Sequence, residues 1–356
     1  MANKISKFFL GESTPGGFKT FFSQQINENG YYTYILKGGP GTGKSTLMKK
    51  IALEFSDIDD IDIYLCSGDP HSFDAVVLKN SKVIVVDGTS PHVFDCSYPG
   101  VYQSIINLGE CWDEKILKEK KDEIKKVTDE NSQWHTRCRK YITALASINS
   151  DIYTIGNSAL NYTKLKDFSG RFIKKNLPKI KDDPGTVSYK KLSALTENGY
   201  YTHEAENYNS IFLMHDPYFS GADVFLQKIS EAAVSRGYDI IISENNLFQE
   251  SVFEHILIPE AGIAFISSTY LTDITKEDSK HINFGRFYYK DIISSKKQRI
   301  DFSKKAAAEL LSEGAASLLN AKKVHDIIEE YYIKAVDFKK INSITNKLIA
   351  DIKERY

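Results

Sequence analysis

The sequence is short of several things, and each shortage narrows the field. It has four cysteines, Cys66, Cys96, Cys111 and Cys138, none of them in the second half and no two in C-x-x-C spacing. That pattern supplies no paired-thiolate zinc site, and free thiols in a reducing compartment are expected. No run of about 18 apolar residues occurs, so no membrane-spanning helix is expected. Near the N-terminus only Phe8-Phe9-Leu10 precedes Gly11. This is too short for the apolar core of a secretory signal, and a cytoplasmic location is the expectation. The formal charge is −1, which gives no general pull toward nucleic acid or anionic membrane.

What is present is more specific. With 356 residues, 42% of them apolar, the chain can build two domains with ordinary cores. Residues 38–45 read Gly38-Gly39-Pro40-Gly41-Thr42-Gly43-Lys44-Ser45, the full G-x-x-x-x-G-K-S/T pattern. Glycines let successive N–H groups turn inward around polyphosphate, and a following helix adds its N-terminal dipole. Lys44 suits the β- and γ-phosphates, and the Ser45 hydroxyl suits Mg²⁺. Thr46 follows as a donor for the α-phosphate. The context agrees. Tyr32 to Leu36 is aromatic and branched, as a strand is. Leu47, Ile51 and Phe55, with Met48 and Ala52, make a helical stripe after the loop. Strand, loop and helix therefore predict a nucleoside triphosphate site.

A second strand is expected at Ile61–Cys66 and a third at Lys82–Asp87. Four apolar residues ending in Asp87 suit a strand buried on both faces, with the carboxylate emerging where ligands bind. Asp87 is the expected Mg²⁺ acid beside Ser45. The glutamate that often follows such an acid is missing, because Gly88 stands there. Asp69, after the second strand, is the substitute for orienting water, although Gly68-Asp69-Pro70 is also a good turn sequence. Thr89 and His92 lie close enough behind Asp87 to sense a γ-phosphate, and His71 less so. An alternative for each histidine is a structural place in a turn.

The chain repeats itself. Residues 34–51 match 211–229 with one extra residue in the later copy, pairing Pro40 with Pro217 and Gly43 with Gly221. Residues from Leu78 match those from Ile258 without gaps, so that Thr89 falls on Thr269. Ile240 to Ser243 takes the place of the second strand. Glu-Asn-Gly-Tyr-Tyr-Thr occurs at 28–33 and at 197–202, but at a different offset, so coincidence is the alternative for that match. The later copy has lost the chemistry: Lys44 falls on Ala222, Ser45 on Asp223 and Asp87 on Ser267. An aspartate at a phosphate position repels phosphate. One active site per chain is expected.

Each copy carries a helical appendage. No proline or glycine interrupts Trp112 to Ile155, and apolar residues recur at helical steps from Leu117 to Ile148. A second such stretch runs from Ser303 to Tyr356. Both stripes serve either as core or as a surface for a protein partner or second copy. Lys174 to Gly185 reads as a linker. Its lysines have no aromatic platform beside them, which disfavours nucleic acid. The expected architecture is α/β: a mostly parallel sheet sandwiched by helices, of P-loop NTPase type, duplicated, each copy with its appendage. The first domain spans 1–168 with its appendage at about 112–165. The second spans 169–356 with C-terminal helices at about 303–356.

Residues 34–51, 66–78, 83–95 and 106–117 together resemble a poorly characterised bacterial family of tandem P-loop ATPases, AAA-like or P-loop NTPase-like and sometimes labelled nucleotide kinase-like. The resemblance is strong over 1–160 and weak beyond. It implies binding and hydrolysis of Mg-ATP at Gly38–Thr46 and Asp87, and names no substrate. Relatives can carry a second G-K-S loop, from which Ala222 and Asp223 depart. ATP is the default because Asn346-Lys347-Leu348-Ile349 lacks the aspartate of an Asn-Lys-x-Asp base reader. The leading expectation is an ATPase whose second copy senses the nucleotide state or a partner. A small-molecule or nucleotide kinase is the alternative, favoured by Gly88 and opposed by scattered arginines. A non-catalytic nucleotide-gated scaffold is the third.

Overall fold

A computed structural model describes residues 4–355, apart from 21, 23–29, 204, 273, 276 and 277. Glu28 and Asn29 of the repeated hexapeptide, and Tyr356, lie outside the described residues. The first half runs β1 (Ile5–Phe9), a hairpin of β2 (Gly11–Thr14) and β3 (Gly17–Thr20), β4 (Tyr32–Lys37), α1 (Lys44–Phe55), β5 (Ile61–Leu65), β6 (Phe73–Leu78), β7 (Val83–Asp87) and β8 (Gln103–Asn107). It ends with helices α2 (Glu114–Glu119), α3 (Lys121–Ala159) and α4 (Tyr162–Asn176). The second half repeats the order: β9 (Val187–Tyr189), a hairpin of β10 (Ser193–Thr196) and β11 (Gly199–Thr202), β12 (Ser210–His215), α5 (Ser220–Ser235), β13 (Ile240–Asn245), β14 (Val252–Ile258), β15 (Ile263–Ser268) and β16 (Lys280–Asn283). Helices α6 (Lys290–Ser295), α7 (Lys297–Ile333) and α8 (Phe338–Arg355) close it.

The strand orders are β1-β5-β6-β7-β4-β8 and β9-β13-β14-β15-β12-β16. In each sheet one interior strand, β6 or β14, runs antiparallel to both neighbours. The sheets are therefore mixed rather than mostly parallel. Short hairpin loops carry β5 into β6 and β6 into β7, where a parallel sheet would need long crossovers. Strand β6 lies between the two strands expected there and was not anticipated.

Register tests the repeat residue by residue. Tyr32 pairs with Val83 and Ser210 with Ile263, so Tyr32 and Ser210 are equivalent. Carried forward without a gap, Gly38 falls on Asp216, Gly43 on Gly221, Lys44 on Ala222 and Ser45 on Asp223. The expected extra residue, and the pairing of Pro40 with Pro217, do not fit this register. Leu78 pairs with Val83 as Ile258 does with Ile263, so that ungapped match holds. A further likeness lies after the last strand of each half. Asn107 and Asn283 each accept the N–H of the glycine two residues on, at 3.0 and 2.9 Å, and cap a short 3-10 turn.

Each sheet has helices on one face only; the other face packs on the other sheet. Ile35, Tyr64, Val77 and Ile84 meet Ile211, Leu213, Leu257 and Ile266 there. The expected sandwich of helices is thus half right, and the uniformly apolar β7 is buried on both faces for two different reasons. On the outer side of the first sheet, Leu47, Ile51 and Phe55 of α1 pack with Ile341, Leu348 and Ile352 of α8. On the second sheet, Phe225 and Ile229 of α5 pack with Leu165 of α4. The terminal helix of each half thus completes the core of the other half. The expected boundary at 168/169 falls inside α4, which belongs by sequence to the first half and by packing to the second.

Helices α3 and α7 form an antiparallel pair. Glu123 meets Tyr331, Asn131 meets the Ala321 carbonyl and Asp151 meets Arg299. Cys138, Ile142, Leu145 and Ile152 pack with Ala307, Ala315 and Leu318, so much of the appendage stripe is core. No helix among the described residues is long and apolar enough to cross a membrane.

His203, after β11, lies under the ring of Phe9 at 4.3 Å between centroids. Burial, aided by the charge of Lys7, pushes its imidazole down to about 4. An unfolded histidine titrates near about 6.5. Between those values the unfolded chain takes up a proton that the folded chain refuses, so this residue makes stability fall as pH drops through the window. His203→Phe is expected to flatten that acid limb by up to roughly 3 kcal/mol. Urea unfolding at several pH values checks it; an unchanged limb would refute the assignment.

Candidate functional site

The glycine-rich loop joins β4 to α1. Gly41 and Gly43 adopt positive φ of 67° and 79°, a conformation that other residues enter only at a cost. Gly43 caps α1 directly. Thr42 is buried and donates its hydroxyl to the Gly39 carbonyl at 2.8 Å, which tightens the turn. Lys44 folds back over the loop. Its ammonium donates to the Gly38 and Gly39 carbonyls, each at 2.9 Å, and lies 3.6 Å from Asp87 Oδ2. Pro40 sits half-buried in the turn, and Thr46 is exposed on the first turn of α1.

Asp87 reaches this point because β7 is the parallel neighbour of β4, with Leu36 opposite Asp87. Its Oδ1 accepts the Thr89 N–H at 2.8 Å and the Thr89 hydroxyl at 2.6 Å, leaving Oδ2 toward Lys44. Ser45 Oγ accepts the Phe73 N–H at 2.9 Å, which ties the loop to β6. The structure therefore brings together the loop, Lys44 and Asp87, with Ser45 beside them.

Asp69 is engaged elsewhere. Its Oδ1 accepts the His71 N–H at 3.2 Å, and its Oδ2 lies 3.4 Å from Lys322 of α7. His71 is exposed. His92 is buried and turned to Asp74, with its Nε2 3.1 Å from Asp74 Oδ2.

Glu329 of α7 is the participant that sequence reasoning missed. Its Oε1 accepts the Gly41 N–H at 3.2 Å from a position 288 residues downstream. A hydrogen bond from His325, 3.5 Å away, is the main cause holding its carboxyl low, so it stays charged. Around it α7 and the segment before α2 cover the loop. A Cβ on Gly39 would come within 2.9 Å of Tyr332 and 3.0 Å of Trp112. A carboxylate thus sits on an N–H of the glycine-rich turn. No local pattern announces it; only the antiparallel pairing of α3 and α7 brings Glu329 there.

The equivalent loop in the second half is filled from within. Asp216, fully buried at the place of Gly38, accepts the Ala222 N–H at 2.8 Å and the Tyr218 N–H at 2.9 Å. The Tyr288 hydroxyl accepts the Gly221 N–H at 2.8 Å and donates to Asp216. Asp223, expected to repel phosphate, faces away from the turn. It accepts the Phe253 N–H at 2.9 Å, as Ser45 accepts that of Phe73, and the Tyr153 hydroxyl at 2.7 Å. The side chain that fills this loop is Asp216.

Comparisons with protein-family models, curated proteins and solved structures find no match. The resemblance to tandem P-loop ATPases rests on the motifs and their order.

Proposed function

We propose that this chain has a P-loop NTPase domain and binds and hydrolyses Mg-ATP at one site, formed by Gly38–Thr46 with Asp87. One observation carries the reading: a glycine loop heading a helix, with its lysine 3.6 Å from an acid on the adjacent parallel strand. A polyphosphate in the loop takes the place of Glu329 at the Gly41 N–H and draws Lys44 from the loop carbonyls. Ser45 and Asp87 offer hard oxygen donors of the kind Mg²⁺ requires, and the ion would neutralise charge on the β- and γ-oxygens. The second half takes no nucleotide in this way, because Asp216 already answers its loop donors. It serves instead as the framework that holds α7.

The conformational reading is favoured over the kinase because α7 reaches the loop at Gly41 through Glu329 and also holds Asp69 through Lys322. An element that must move when phosphate enters reports the nucleotide state. Asp69, tied to Lys322, makes slow turnover the expectation.

The test is phosphate release from Mg-ATP beside a fluorescence titration. Trp112 packs on Gly39 and is one of two tryptophans, so binding should change emission in the wild type and less in Trp112→Phe. Failure to bind a labelled nucleotide at millimolar concentration would overturn the proposal. In the same titration Glu329→Gln is expected to bind on the order of tenfold more tightly, since a competing carboxylate is neutralised. Unchanged or weaker binding would show that Glu329 does not compete with phosphate.

A further inference from the structure

A second cluster lies on the first sheet, among residues that do not line the glycine-rich loop. Cys66 follows β5, Asp74 lies in β6 and His92 follows β7. One ligand atom from each comes within 4.8 Å of the others. Asp74 and His92 are each 6% exposed. His92 Nδ1 is buried and lacks a hydrogen-bond partner among the described residues, and Asp74 Oδ2 has nothing there but the 3.1 Å approach of His92 Nε2. Such groups are costly unless something answers them. Burial, the larger cause, holds the Cys66 thiol well above its ordinary range, and the Gly68 and Asp69 N–H groups at the sulfur oppose that only in part.

The second half shows what the same place looks like when protein groups close it. Asp74 is the extra residue where register shifts between β5 and β6, and Glu254 is its counterpart between β13 and β14. Glu254 takes the Asn245 amide at 2.9 Å and the Tyr200 hydroxyl at 2.9 Å. In the first half Cys66 stands where Asn245 does. Phe18 stands where Tyr200 does in the matching hairpin. Phe18 brings no donor; its ring lies edge-on to His92 at 4.6 Å between centroids. The two donors of one half are replaced by a sulfur ligand and a hydrocarbon in the other, and the imidazole, which His255 supplies 3.4 Å from Glu254 in the second half, comes here from the segment after β7.

We propose that Cys66, Asp74 and His92 bind a divalent transition metal of the zinc type, with a fourth position open to solvent. Sulfur, imidazole and carboxylate are the donors such an ion takes, with three protein ligands leaving one place free. Tetrahedral coordination sets ligand atoms roughly 3.5 Å apart, so small side-chain rotations close the cluster on an ion. The cysteine spacing argued against zinc in the sequence because it considered thiolate pairs; here one thiolate suffices, its partners coming from two other segments. The ion would pin the ends of β5 and β6 and the segment after β7. It needs no nucleotide, and it neighbours the proposed ATP site, since Asp74 adjoins Phe73, whose N–H Ser45 accepts.

Full-length protein stripped by chelator and titrated anaerobically with Co²⁺ tests this. One equivalent is expected, with a thiolate-to-cobalt charge-transfer band in the near ultraviolet. Cys66→Ser should abolish the band, Cys96→Ser should keep it, and Asp74→Asn or His92→Ala should weaken binding by more than about tenfold. Zn²⁺ should raise the wild-type melting temperature and leave that of Cys66→Ser unmoved, with both folded in chelator by circular dichroism. Absence of the band, its persistence in Cys66→Ser, or a zinc-induced rise in that variant would overturn the site.

Discussion

Lys44→Ala is expected to remove steady phosphate release, by about 10²–10³-fold or more, and to weaken Mg-ATP binding with it. Losing one preorganised donor to developing charge costs about that much. The ammonium does not hold the fold in place: it is partly exposed and bonds two loop carbonyls that water can serve. Thermal melting should therefore change little while turnover disappears. Asp87→Asn should differ in kind, keeping much of the nucleotide binding while losing its response to Mg²⁺. Phosphate release, labelled-nucleotide binding and melting on the same three samples decide it. Full turnover by Lys44→Ala would mean that the activity belongs to another site or to a contaminant.

Ile352→Asp is expected to damage the half of the molecule to which the residue does not belong by sequence. Ile352 is 0% exposed and packs in the cluster of Leu47, Ile51 and Phe55. A carboxylate there loses an apolar contact and meets no donor, a change of about 4 kcal/mol or more. Hydrogen exchange should then show α1 and β4 losing protection before α5 and β12. Gain of exchange confined to α8 itself would show that the first core closes without it. Leu165→Asp on α4 gives the mirror test, loosening α5.

That the loop, Lys44, Ser45 and Asp87 come together was legible because the loop residues are contiguous, and β7 announces itself by an unbroken apolar run. The repeat was legible at β7 and β15, where sequence and register agree. It was misread before α5, where two prolines suggested a gap that strand pairing does not support. Strand β6 was missed because Phe73 to Leu78 reads as an extension of the loop between two stronger strands. Glu329, Asp216 and the Cys66, Asp74 and His92 cluster were not legible at all. Each depends on distant segments meeting, and an apolar stripe tells that a helix face is buried without telling against what.

Two like halves, each closed by the other's last helix, have the arrangement of a domain-swapped homodimer whose chains have become one. Neither half, made alone, would bury its own core: residues 1–176 lack Ile341, Leu348 and Ile352 of α8, which pack on α1, and residues 177–355 lack Leu165 of α4, which packs on α5.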